Sequence, residues 1–379
     1  MLTTESRLRD FPQTDASCYL NTAAEGLPPR TVLSALEQYG RDKLLGMDGR
    51  VLHQQQRQRL QAETANALNL RSQDIGICAC ASEAFQLTSL AMQFREGDEV
   101  VINDLDFPAG ATPWLQPTCP ASVKIWRSRN GVLDPADLAP LLSKNTRLVS
   151  TSLVSFLNGF RLHLDSIHDM LRRLSPALLA VDVTQALGRI SLDDISLADL
   201  TISATHKWIL GPHGGGLVGV NPRVAEQLTA HAGGWFHLEN AFEPDRFESA
   251  VTKTGAASFS VGMPNYAAIY GCAAALEYIQ NVGVEAIEKH CLPLVEQCLD
   301  GLKKLNVELI SPDRIDELAG ILAFVHPQAD RIHHLLHEQG IHIMSHAGRL
   351  RIAIHGYNTS ADIDQLLSVL SSALSLADS

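Results

Sequence analysis

Between residues 100 and 220, short apolar runs alternate with segments of helical periodicity. The runs at 100–103, 147–152, 177–182, 200–204 and 217–220 predict strands. Most of them lack polar alternation, the pattern of strands covered on both faces. Segment 82–94 sets apolar residues at 84, 85, 87, 90, 91 and 94, one face of a helix, and 164–174 reads as another. Strands interleaved with helices predict an α/β fold with a mostly parallel central sheet and helices on both faces.

The texture changes after about residue 260. Two long helices are predicted at 265–280 and 284–305, the second containing Pro293. A strand (320–325), a helix (330–339), a strand (350–354) and a last helix (360–376) follow. The expected division is a large domain over 16–260 and a smaller α+β domain from 1–15 and 261–379.

Composition then narrows the function classes. A chain of 379 residues with 45% hydrophobic and 19% charged residues suits an ordinary globular protein of about two domains. A net charge of −12 argues against a nucleic-acid or anionic-membrane surface. The seven cysteines are odd in number and form no CxxC pair, which favours a reducing cytoplasm over a disulfide framework. The opening MLTTESRLRDF lacks a signal-peptide core, and no apolar run is long enough to span a membrane.

Two residues stand out by position. Asp182 closes the run ALLAVD, and Lys207 ends the stretch DLTISATHK. Ligands of open α/β sheets sit beyond the carboxyl ends of strands, where a carboxylate and an amine could face each other across a ligand. Pyridoxal 5′-phosphate (PLP) needs such a pair: a lysine forms the Schiff base and a carboxylate pairs with the pyridine nitrogen. Taken alone, an Asp–Lys pair is more often a plain ion pair. The stretch CASE (80–83) opens the helix 82–94, whose N–H groups and dipole suit a phosphate, although Ser82 alone also reads as an ordinary N-cap.

Three further patterns are set aside. Residues 214–219 (GGGLVG) fit GxGxxG but precede a strand instead of leading from one into a helix. Residues 213–216 (HGGG) resemble a lipase oxyanion loop, yet the chain has no GxSxG elbow. His333, His334 and His337 lack the Glu of HExxH and read as a solvated helix face, so no metal is expected.

Seven segments in register resemble motifs of the class V aminotransferases, the branch of fold-type I PLP enzymes that includes cysteine desulfurases, selenocysteine lyases and isopenicillin N epimerase. They are YLNTAAEGLPP (19–29), CASEA (80–84), DLDFPAGATPW (104–114), VDVTQALG (181–188), SATHKWILGPHGGG (203–216), SVGMPN (260–265) and RIAIHGYNT (351–359). The resemblance implies the PLP-dependent transferase fold, with the cofactor in the large domain and a Schiff base on Lys207. It implies Asp182 at the pyridine nitrogen, Gln185 at the ring hydroxyl, and Ala81, Ser82 and His206 at the phosphate. Phe107 takes the place of the family's ring-stacking His. Arg351 takes the substrate carboxylate, and Asn21 lies in the substrate loop.

Departures accompany it. Phe156 replaces an Asn at the ring hydroxyl, with Ser155 or Asn158 as expected substitutes. Ala204 replaces a Ser of the lysine motif, with Ser203 or Thr205 as substitutes. Met263 replaces a Thr that reaches the phosphate across a homodimer interface formed by segment 252–265. The stretch before Arg351 (340–350) is short and carries no Cys, and the nearest upstream cysteine is Cys298. The function implied is Cα deprotonation of a small-molecule amino acid, first as an aminotransferase. The alternatives are a cysteine β-lyase without a catalytic Cys and an isopenicillin N epimerase-like epimerase.

Overall fold

The computed structural model describes residues 1–377. Its central sheet has seven strands: β1 (Ile75–Cys78), β2 (Glu99–Asn103), β3 (Ser122–Trp126), β4 (Thr146–Ser152), β5 (Leu178–Asp182), β6 (Leu200–Ala204) and β7 (Gly216–Val220). Their spatial order is β1-β7-β6-β5-β4-β2-β3, all parallel except β7, which runs antiparallel to both its neighbours. The expected α/β sheet is present, and the five predicted strands fall within one residue of their expected bounds.

Every residue of β5 is buried. Its side chains alternate between two cores, as a strand covered on both faces requires. Leu179 and Val181 join Leu60 and Leu68 of helix Arg50–Leu68 on one face; Leu178 and Ala180 join Phe85 and Leu87 of helix Ala81–Met92 on the other. The two outer strands, β1 and β3, escaped the sequence reading. Strand β3 is SVKIW, with Ser122 and Ile125 exposed, so its apolar character is diluted by solvent-facing positions.

A second, antiparallel sheet holds β8 (Glu308–Leu309), β9 (Ile321–Val325), β10 (Met344–His346) and β11 (Arg349–Ala353) in the order β10-β11-β9-β8. Helices Val284–Lys304, Ala329–Glu338 and Ser360–Ala377 supply apolar residues to its core, as do Cys18 and Leu20 from the N-terminal segment. Helix Tyr266–Val282 instead sends Ile269, Cys272, Ala273 and Leu276 into the core of the seven-stranded sheet. Cys18 and Leu20 thus pack in the smaller core and the middle of helix Tyr266–Val282 in the larger; sequence texture does not reveal which sheet a helix covers. No described helix is long and apolar enough to cross a membrane.

Strands β10 and β11 are joined at the closing pair His346 and Arg349 by a two-residue turn. Its residues, Ala347 (φ 51°) and Gly348 (φ 76°), both lie in the left-handed region, as a type I′ hairpin demands.

Candidate active site

The carboxyl ends of β4, β5 and β6 lie side by side, since Ser152 pairs with Asp182 and Asp182 with Ile202. A cavity of about 210 Å³ opens there, and Ala81, Ser82, Phe107, Asp182, Gln185, His206 and Lys207 all line it. A wider opening of about 690 Å³ shares Phe107, His206 and Lys207 and extends to Arg351. Eight of the predicted site residues are therefore brought to one place by elements distant in sequence.

Asp182 is buried, and its Oδ1 accepts the N–H of Thr184 at 2.8 Å. Burial raises its pKa, opposed by the Thr184 hydrogen bond and the Lys207 charge. At Lys207 burial lowers the amine's pKa, Asp182 opposes it, and Arg351 adds to the lowering. A desolvated amine of this kind is free base more often at neutral pH and is a better nucleophile. The Lys207 Nζ lies 5.2 Å from the centre of the Phe107 ring.

Neighbours missed in the sequence fix this lysine. Trp208 donates its indole N–H to Gln185 Oε1 (2.5 Å), and Gln185 Nε2 donates to Ala23 O (3.2 Å). One N–H of that amide remains for a ligand. The Trp208 carbonyl in turn accepts from His355 Nε2 (2.8 Å), while His355 Nδ1 accepts the N–H of Gly356 (2.7 Å). Burial pushes the His355 pKa down to about 3, so it stays neutral and keeps this tautomer. A tryptophan directly after the lysine was the available signal; its partner 147 residues away was not.

At the other end of the cavity, helix Ala81–Met92 starts one residue before the expected bound. Its N-cap is Cys80, whose Sγ accepts the N–H of Glu83 (3.4 Å). Ser82 is hence a helical residue and not the cap, and the N–H groups of this first turn have no partners within the helix. The glycines of 214–216 permit the approach: a Cβ on Gly216 would stand 2.5 Å from the carbonyl carbon of Cys80. Likewise a Cβ on Gly26 would meet Lys207 O at 2.0 Å, where Gly26 donates its N–H to His206 O (2.8 Å). His206 stacks on His213 at 4.6 Å, and burial, with Lys207 and His213, holds its pKa down to about 4.

Several expectations are corrected. Thr205 does not line the cavity; its hydroxyl donates to Pro212 O (2.7 Å) and Gly215 O (3.1 Å), tying the lysine loop to the glycine turn. Ser203 donates to Ala204 O (2.9 Å), so neither residue offers a hydroxyl in place of the Ser lost at Ala204. Ser155 is bound to Leu105 O and the N–H of Leu157, and Asn158 to Gly131 O, Ile310 O and the N–H of Phe160. Both are buried and spent on loop structure, so nothing there replaces the Asn lost at Phe156. Met263 is half exposed and lines a neighbouring cavity with Ser260 and Gly214. Asn21 pairs through its backbone with Ala353, two positions beyond Arg351, and its Oδ1 is buried without a partner.

Asp106, not singled out in the sequence, accepts the N–H of Ser152 at 2.7 Å, and its Oδ2 is buried without a partner. Burial, with Asp182 nearby, pushes its pKa up to about 7. Cys80 is the cysteine that lines the cavity; Cys298 is buried in the core of the smaller sheet.

This donor set fits PLP. A buried carboxylate and an amine share one cavity, a helix N-terminus borders it, and glycines clear the backbone at the places where a Cβ would collide.

The profile of the family described as "Aminotransferase class-V" matches residues 18–366. The chain belongs to the class V aminotransferase family of fold-type I PLP enzymes, and its cofactor is PLP. A "Probable cysteine desulfurase" of Pyrococcus abyssi is 25% identical, the match covering 96% of this chain and 95% of that one. Among solved structures, the apo cysteine desulfurase of Thermococcus onnurineus NA1 superposes with a TM-score of 0.89 at 21% identity, over 98% of each chain. The cystine C–S lyase C-DES, in complex with its product cysteine persulfide, gives 0.85 at 23% identity, over 95% of this chain and 99% of that one.

Proposed function

We propose that this enzyme is an amino-acid aminotransferase in which Lys207 anchors the cofactor and moves the Cα proton. Bound in this cavity, PLP supplies the electron sink that acidifies the Cα–H of an amino acid. In this reading Asp182 pairs with the ring nitrogen, and the remaining N–H of Gln185 meets the ring hydroxyl. The N–H groups of Ala81 and Ser82, with His206, hold the phosphate. Arg351 receives the substrate carboxylate beside Asn21. The observation that carries the reading is the placing of Phe107 beside Lys207. A phenyl ring offers a flat apolar face but no proton, which leaves Cα proton transfer to the lysine and removes the acid that a His at this position could offer a departing thiolate.

The names of the relatives favour a second reading, β-elimination from cysteine or a derivative. There too the sulfur would leave directly, since β10 and β11 close in a two-residue turn with no thiol on it. Product analysis decides between them. Holoenzyme incubated with single amino acids and no keto acid should convert its PLP to pyridoxamine phosphate. Pyruvate and sulfide from cysteine, with the PLP unchanged, would establish the second reading instead. Cys80→Ser should leave turnover within about two-fold of the parent, because a serine hydroxyl can cap the helix in place of the thiol; a stoichiometric persulfide on Cys80 would contradict both readings.

We also propose a cytoplasmic homodimer. The seven free cysteines support a reducing compartment. Exposed Trp235, Phe242, Phe247 and Met263, on or near segment 252–265, support a covered face. A catalytically competent monomer in light scattering would remove the dimer.

A further inference from the structure

The wider opening beside Lys207 is lined by two arginines, Arg349 and Arg351, and among the described residues no carboxylate lines it. Both lie on β11, two positions apart, so their side chains leave the same face of the strand. The Nε of each is buried and has no hydrogen-bond partner. One residue organises the pair. Phe156 accepts Arg351 Nη1 on its backbone carbonyl at 2.8 Å, and its ring lies 5.5 Å from the Arg349 guanidinium carbon. That ring also meets Phe107 edge-on at 5.0 Å, which connects the arginines to the wall of the cofactor cavity. The Phe156 ring thus lies between the Arg349 guanidinium and the Phe107 ring, and its backbone carbonyl holds Arg351.

We propose that the enzyme takes an amino acid carrying a second acidic group, and that Arg349 binds this group; the inference rests on the reading that Arg351 binds the α-carboxylate. Two guanidinium groups with unused Nε donors, on one opening that no described carboxylate lines, are half of a recognition site for a dianion. Burial lowers the pKa of both arginines, and the charge of Arg349 lowers that of Arg351 further. A ligand with two negative ends relieves that repulsion, whereas a neutral side chain leaves Arg349 desolvated and unpaired. The spacing agrees: neighbours on one strand face stand roughly 7 Å apart. With flexible arginines, that separation suits the two acid groups of a four- or five-carbon dicarboxylic amino acid. Ile310, Val325 and Met344, in the same opening, offer apolar surface to the methylenes between them.

The test uses acids that bind without reacting. Glutarate and succinate, and for comparison butyrate and propionate, would be titrated into PLP-loaded enzyme by calorimetry. The diacids should bind roughly ten- to a hundred-fold more tightly than the monoacids, the range expected for one added charged hydrogen-bonding pair. Arg349→Met should remove that preference and leave monoacid binding within about two-fold, and Arg349→Lys should restore part of it. Equal affinity for diacids and monoacids in the parent enzyme, or an undiminished preference in Arg349→Met, would overturn the inference. Loss of monoacid binding in Arg351→Met supports the reading on which it rests. Unchanged monoacid binding in that variant would defeat that reading, whatever Arg349 does. Because no bond is broken in these titrations, their outcome does not depend on whether the enzyme transaminates or eliminates.

Discussion

Lys207→Ala should yield a folded protein whose turnover is lower by about 10⁴-fold, the upper range for removing a group that carries protons in the reaction. Its cofactor should be held without a covalent bond. The loop bearing Lys207 does not need the amine to keep its shape. Trp208 is held through Gln185 and His355, Thr205 through Pro212 and Gly215, and Gly26 packs on the lysine carbonyl. Borohydride reduction of the parent enzyme, followed by peptide mapping, should place the cofactor on the peptide containing residue 207, and the variant should lose that label. Lys253 makes a good control, because its amine already donates to Phe236 O at 2.9 Å. Label on Lys253 would sink the assignment.

Asp182→Asn should be nearly as damaging, with turnover lower by about 10²-fold or more, the scale seen when a group facing developing charge is deleted. Folding should survive, because the amide oxygen of asparagine can still accept the N–H of Thr184. The lost element is the negative charge, which the Thr184 hydrogen bond and the Lys207 amine favour against the burial that raises the carboxyl's pKa. Thermal unfolding within a few degrees of the parent, alongside the kinetic loss, would separate electrostatics from stability. Near-normal turnover in a protein that retains PLP would refute the role.

The parts of this site legible in the sequence share one property: they end apolar runs. Asp182 and Lys207 could be picked out because β5 and β6 are buried and end at the cavity, so strand pattern and site coincide. Arg351 carries no such mark, sitting inside β11 between Leu350 and Ile352, and only the family resemblance pointed to it. The failures have a different cause. Whether Thr205, Ser155 or Asn158 presents its polar group to a ligand depends on which backbone carbonyls and N–H groups lie within reach. For Asn158 these include Ile310, 152 residues away. Pattern along a chain reports which face is buried, not which neighbour arrives from another element. The clamp of Trp208 by His355 and the pairing of Arg349 with the Phe156 ring are contacts of the same kind.

The tight hairpin at Ala347 and Gly348 has a consequence for how this enzyme could change over evolution. His346 and Ala347 border the wider opening beside Lys207, and a Cβ added at Gly348 would touch nothing. Exposed hairpin tips of this sort accept inserted residues readily, and each doubling of loop length costs only about 0.6 kcal/mol in closure entropy. A few extra residues there, one of them cysteine, would hang a thiol over the mouth of the cavity without disturbing either core. Capture of sulfur by the protein and its release to solvent would then be neighbouring designs on one scaffold, separated by the length of a single loop.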